Sequence, residues 1–212
     1  MQIAVLFTDI VGSTRFFTSH GDLAGREMLQ QHEQLVSAAV THHGGTLVKI
    51  VGDSAMAYFL SAEEALMSAI EIQQELRRYN QKKDDRDPIH IRIAIHFGNG
   101  IIEQDDIFGS VVNIAAKLTP LVDPDQIFIS GHVYKLVPIS KTTPFWTEYG
   151  RKKNGWKCAV LNGKGEDTGI RLHKVNELYD IIHKRAIEQA LKEGKPIPPD
   201  VLKEYPELMK EK

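Results

Sequence analysis

Two carboxylates open the chemical reading of this chain. Asp9 ends an apolar run, Ile3-Ala4-Val5-Leu6-Phe7, that reads as a buried strand. Asp53 lies in Gly52-Asp53-Ser54, between two β-rich runs at 46–51 and 55–60 that read as a hairpin. Strand ends and hairpin tips of neighbouring strands can lie side by side, which would aim both acids at one point. Hard divalent cations take such oxygen ligands, one or two carboxylates plus substrate phosphates. Taken singly, each Asp is explained more simply by turn chemistry, because turns select Asp and Gly.

Other residues add weaker signals. Gly12-Ser13-Thr14 sits where a strand gives way to helix, and backbone amides at such a junction can cradle phosphate. A plain helix cap is the bland reading, and the run lacks the spacing of a Walker loop. Lys49 interrupts the apolar run Leu47, Val48, Ile50, Val51, either as an edge-strand charge or as a group awaiting an anionic partner. Asn113 and Lys117 are four apart in an otherwise apolar helical stretch and so share one face. An amide and an ammonium there could hold a ribose and a phosphate; a solvated face is the simpler reading. His42-His43 suit a helix C-terminus as cations, and a metal role is disfavoured because few ligands are near in sequence. Trp146 and Trp156 read as packing anchors.

The elements that must position these groups follow from hydrophobic periodicity. Residues 23–40 carry helical spacing that Gly44-Gly45 stops, and Ser61 with Glu64 announces a second helix. Ile89, Ile91, Ile93 and Ile95 alternate with His90, Arg92, Ala94 and His96, a period-two strand. Residues 109–121 read as helix and 126–130 as strand. Strand-like pieces follow near 145–149, 156–161 and 169–175, then a helix over 176–192 and a proline-punctuated tail. The expectation is an α+β sandwich, helices against one mostly antiparallel sheet. A chain of 212 residues is long enough for one core of ordinary size. The net charge of −2 gives no reason to expect binding to nucleic acid or a membrane surface. The single cysteine, Cys158, excludes an internal disulfide and a multi-thiolate metal site. No apolar run approaches the ~20 residues that span a bilayer, so no membrane insertion is expected, and the reading is cytoplasmic.

Three blocks then stand in order: FTDIVGST (7–14), VKIVGDSAMAYF (48–59) and DIFGSVVNIAAKL (106–118). Together they resemble the signature blocks of class III adenylyl and guanylyl cyclases. IRIAIHFGNGII (91–102) looks like the strand pair between the second and third blocks. The likeness runs over residues 1–131 of 212, about 60% of the chain. It implies the ferredoxin-like (palm-like) fold of that family, with a catalytic domain over 1–175 and a C-terminal helix and tail over 176–212.

The resemblance also implies roles. Asp9 and Asp53 would hold two divalent metals, Mg²⁺ or Mn²⁺, with the carbonyl of Ile10 as a further ligand. Amides around Gly12, Ser13 and Thr14 would grip a triphosphate. Lys49 and Asp106 match the purine-selecting pair, Asn113 the residue that orients the ribose, and Lys117 the position that stabilises the transition state. Each site would draw its metals from one protomer and its base and ribose contacts from the other, so a homodimer is implied. An ionised Asp accepts and a Lys donates, which complements the amino group and ring nitrogen of adenine and reverses for guanine. ATP is therefore the expected substrate and cyclic AMP with pyrophosphate the expected products. Cytosine shows the same order as adenine, which makes CTP a nearer alternative than GTP. Two departures stand out: Lys117 replaces the arginine usual in the family, and Asn162 falls where many relatives carry a basic phosphate contact, with Lys164 nearby as a substitute. The chief rival reading is a weakly active nucleotide-binding dimerisation module. A diguanylate cyclase is set aside, because its GG(D/E)EF hairpin is absent.

Overall fold

The computed structural model describes residues 1–82 and 87–137, and the strands at 146–152, 155–161 and 167–175. Strand β1 (Gln2–Ile10) runs antiparallel between β3 (Ser54–Phe59) and β4 (Ile91–Asn99). β2 (Thr46–Val51) closes the hairpin onto β3 and forms one edge. Its turn is made by Gly52, whose φ of 62° lies in the left-handed region that a side chain disfavours. Beyond β4 come β7 (Gln126–Ser130), β10 (Asp167–Val175), β9 (Gly155–Leu161) and β8 (Trp146–Lys152), giving the order β2-β3-β1-β4-β7-β10-β9-β8. β7 is parallel to both its neighbours; the other pairs are antiparallel. The α+β class and mostly antiparallel sheet are as the sequence implies.

Alternation along β1 sends side chains to two different roofs. Ala4, Leu6 and Ile10 join Ile91, Ile93 and Ile95 beneath α1 (Ser13–His42), α2 (Ala62–Gln81) and α4 (Gly131–Leu136). Ile3 and Val5 face the opposite way, packed with Met56, Val111 and Ala115 beneath α3 (Ser110–Leu118). A small hairpin, β5 (Ile101–Glu103) and β6 (Asp106–Phe108), carries the chain from β4 to α3. Phe59, Leu66, Leu118 and the β1 and β4 isoleucines are buried, each side chain stabilising the fold by about 1.5–3 kcal/mol through removal from water.

Two expectations are corrected, and some elements are added. The first helix begins at Ser13, ten residues before the apolar periodicity does. Its opening turns, with Thr18, Ser19 and His20 exposed, carry little apolar signal, and a break at Gly21 separates them from the periodic part. Second, β4 is not a strand with one wet face: Ala94 and His96 are buried as well as the isoleucines, because α3 folds back over them. The added elements, α4 and the β5–β6 hairpin, follow runs too short to show a period. Ser61 does cap α2, its hydroxyl accepting from the amides of Glu63 and Glu64 at 3.2 and 3.4 Å. The expected helix over 176–192 and the tail lie outside the described residues. Among those residues no helix is long and apolar enough to cross a membrane.

Candidate active site

The two carboxylates meet. Asp9 is the last side chain of β1 on the α3 face, and in the β1–β3 register it stands opposite Ser54, one residue beyond Asp53. The Ile10 amide donates to the Asp53 carbonyl at 3.2 Å, which ties the strand end to the hairpin tip. Ser54 donates its hydroxyl to Asp9 Oδ1 at 2.9 Å, and Ser13, in the first turn of α1, donates to Asp53 Oδ2. Asp9, Ile10, Ser13 and Asp53 thus form one cluster, with Gly12 at the helix N-cap between them. Burial pushes the Asp9 carboxyl above its usual pKa; the Asp53 charge adds to the rise, against the Ser54 hydrogen bond and Arg92.

That repulsion tests whether a cation fits. A carboxylate whose ionisation is opposed by burial and by a neighbouring negative charge is a donor that a hard divalent ion would relieve. All the ligand atoms on offer are oxygens, as Mg²⁺ and Mn²⁺ prefer. The fit is good.

Sequence reasoning misses Arg92 as a site residue. It faces Asp9 across the β1–β4 register, with Nε 3.1 Å from Asp9 Oδ2. This is an ion pair without hydrogen-bond alignment, since Nε is buried with no aligned acceptor. A signal for it exists: a charge on a central strand, in phase with Ala94 and His96. Under the neighbouring strand lies His32, buried, with Nε2 2.9 Å from Thr8 Oγ1.

At the open end of α1, no side chain caps the helix and its first turn holds no acidic residue. Amide N–H groups there are left for an anion, next to the carboxylate cluster. Thr14 is exposed in that turn.

The second pair also comes together. Lys49 on edge strand β2 places Nζ 2.8 and 2.6 Å from the two oxygens of Asp106 at the start of β6. Lys49 therefore lies on an edge strand and is also paired with a carboxylate. Hydrogen bonds from Lys49 and from the Ile107 amide hold the Asp106 carboxyl below the ordinary carboxylate range. An open cleft of about 690 Å³ lies beside it, lined by Glu103, Gln104, Asp105, Asp106 and Phe108.

Asn113 and Lys117 are exposed on α3, whose buried face is Val111, Ala115 and Leu118. Among the described residues, no hydrogen bond or ion pair joins either of them to Asp9, Asp53, Lys49 or Asp106. Asn162 and Lys164 lie outside the described residues.

Comparison with known proteins decides the family. Residues 1–159 match the adenylate and guanylate cyclase catalytic domain. The chain belongs to the class III nucleotidyl cyclases. It is similar to the solved adenylate/guanylate cyclase/hydrolase from Silicibacter pomeroyi at 31% identity and TM-score 0.58, covering 72% of this chain and 88% of that one. An adenylate cyclase of Streptomyces coelicolor is 30% identical over 128 residues, 60% of this cyclase chain and 32% of that protein. The curated relatives are longer: this chain spans about a third of their length or less. The fold is also shared with the monomeric guanylyl cyclase domain of the RhoGC fusion protein from Blastocladiella emersonii (TM-score 0.60, 20% identity, 70% of this chain and 90% of that one). A dimeric form of the same domain matches with TM-score 0.59 at 19% identity, over 70% of this chain and 88% of that one.

Proposed function

We propose that this cyclase domain converts ATP into 3′,5′-cyclic AMP and pyrophosphate at the interface of a homodimer. The observation that carries the substrate is the Lys49–Asp106 pair. It sets an obligate donor beside an obligate acceptor, the pattern that adenine's ring nitrogen and amino group answer. The pair is open to solvent, which weakens it, so a base can part it at little cost. Guanine would present donor to donor and acceptor to acceptor, leaving both side chains without a complementary partner on the base.

Asp9 and Asp53, with the Ile10 carbonyl, are the residues that would hold two divalent cations, Mg²⁺ or Mn²⁺. Bound there, such ions would lower the pKa of the ribose 3′-hydroxyl and neutralise charge on the phosphates. The amides of Gly12, Ser13 and Thr14 would take the triphosphate on the uncapped start of α1. Arg92 lies within reach of the same point and adds a fixed positive charge as carboxylate charge is taken up by cations. Asn113 would orient the ribose and Lys117 meet the transition-state charge. No covalent intermediate is needed; positioning and charge stabilisation suffice.

What one chain leaves apart supports the dimer. The carboxylate cluster and the Lys49–Asp106 pair form separate groups, and Asn113 and Lys117 are exposed on α3 with no bond to either. A second copy would bring one chain's carboxylates to the other's base and ribose contacts. Incubating the purified protein with each of the four nucleotides and Mn²⁺, with products identified by mass, tests the whole reading. Cyclic AMP from ATP is the expected result. Cyclic CMP would move the specificity to CTP, and nucleotide binding without product would leave a dimerisation module.

Lys117 also sets a rate. Its compact ammonium lacks the planar fork of arginine, so one of two parallel phosphate contacts is lost. A whole transition-state donor is worth roughly 10²–10³ in rate. Lys117→Arg is therefore expected to raise kcat by about tenfold or more, a fraction of that donor's worth, while KM for ATP stays near its original value. A rate that does not rise removes this account of the substitution.

A further inference from the structure

At the opposite end of α1 from Ser13, the fold brings two adjacent histidines against a glutamate from the next helix. His42 ends α1, His43 is its C-cap, and Glu71 lies in the middle of α2. His42 Nδ1 is 2.8 Å and His43 Nε2 2.7 Å from the same oxygen, Glu71 Oε2. All three ligand atoms lie within 4.8 Å of one another. We propose that His42, His43 and Glu71 form a binding site for a borderline divalent cation of the zinc class, with a fourth position open to water.

The geometry is close to what such an ion needs. Zinc holds nitrogen and oxygen ligands at about 2.0–2.2 Å in a tetrahedron, which places ligand atoms roughly 3.3 Å apart. The two N···O separations here are slightly shorter than that, because hydrogen bonds now occupy the place of the ion. Small side-chain rotations open them. Two imidazoles converging on one carboxylate oxygen supply neutral nitrogen ligands and one charge, a set that suits zinc, nickel or cobalt and not magnesium.

The scaffold favours the site in three further ways. α1 and α2 pack on each other through the main core, so the ligand-bearing backbones are already placed. A helix C-terminus presents partial negative charge, which welcomes a cation. His42 is 70% exposed at its side chain while His43 is 19% exposed, so an ion has an entrance and a floor. The bland alternative, two histidines merely hydrogen-bonded to a glutamate, predicts no metal stoichiometry. A bound ion would clamp the end of α1 to α2 just before Gly44-Gly45 lead into β2, the strand that carries Lys49.

The experiment needs no nucleotide and reads no activity, so its outcome is independent of the cyclase reading. Zinc is titrated into the protein in saturating Mg²⁺, which occupies hard oxygen sites, in competition with a chromophoric chelator. The ¹⁵N imidazole resonances are followed in parallel. One equivalent of Zn²⁺ per chain is expected, with shifts of the His42 and His43 resonances and a rise in Tm. Glu71→Gln, which keeps the hydrogen-bond acceptor and so the fold, and His42→Gln/His43→Gln are each expected to weaken binding by at least ~10–100-fold, the loss that disturbing even an outer partner of a ligand produces. Absence of stoichiometric binding overturns the proposal. So does zinc affinity that survives intact in both variants while their melting curves match the parent.

Discussion

Asp53→Asn is expected to reduce product formation by about 10³-fold or more in Mn²⁺, while leaving the metal-free protein no less stable. The two halves of this expectation come from one electrostatic fact. Asp53 and Asp9 repel, and that repulsion helps burial to raise the Asp9 pKa. An asparagine keeps an oxygen to accept the Ser13 hydroxyl but removes the charge, so the folded chain loses a strain and not a support. A cation loses a carboxylate ligand at the point where the phosphates must be neutralised. Removing one preorganised group of that kind costs roughly 10²–10³, and losing an ion with it costs more. Turnover and melting temperature are measured with and without Mn²⁺: the parent should melt higher with the ion and the variant should respond far less. An Asp53→Asn enzyme whose turnover stays close to the parent's would sink the assignment of these carboxylates.

The second large effect concerns acid. His32 and His96 are buried, and burial lowers the pKa of each to about 4; Asp53 opposes the shift at His32, and His132 adds to it at His96. Their ordinary value is near 6.5. Between about pH 6.5 and 4 the unfolded chain binds protons at both positions and the folded chain does not, so stability must fall as pH falls through that window. Each histidine contributes up to about 3 kcal/mol, because a tenfold change in proton affinity is worth on the order of 1.4 kcal/mol. Together they approach the total stability of an ordinary domain, about 5–15 kcal/mol. Asp9, with its raised pKa, works the other way, as a single group. Glu71 and Asp106, held below their usual range, extend the loss to lower pH. Denaturant midpoints measured near neutral pH and again at about pH 4.5, inside that window, should differ strongly, and His96→Asn should flatten the dependence. Equal midpoints in the parent protein would contradict the burial argument.

How much of this is legible in the sequence depends on how local each signal is. The β2–β3 hairpin can be read because Gly52 and Asp53 break two apolar runs at turn spacing, and β2 and β7 fall where the runs do. Asp9 and Asp53 can be named, but only the register of β1 on β3 brings them together, and register is a property of the sheet. Lys49 and Asp106 are joined by a fold-back of 57 residues that no window of sequence contains. Alternation alone sends His96 to solvent, because it says nothing about what lies over the second face. Glu71 cannot be paired with His42 and His43 for the same reason: nothing local links the end of one helix to the middle of the next. Arg92 is visible as a charge in a strand, yet its meaning lies across the sheet in Asp9.

The break at Gly21 carries a mechanical consequence. Its φ of 80° and ψ of 172° interrupt the hydrogen-bond ladder of α1, leaving a short arm, with Ser13 at its tip, ahead of the long arm that bears Met28, His32 and Val36 in the core. An unbroken rod would transmit any tilt of its tip straight into those buried contacts. With the break in place the short arm is not a continuation of that rod, and the Phe17 ring it carries packs against Gly25, where a side chain would not fit.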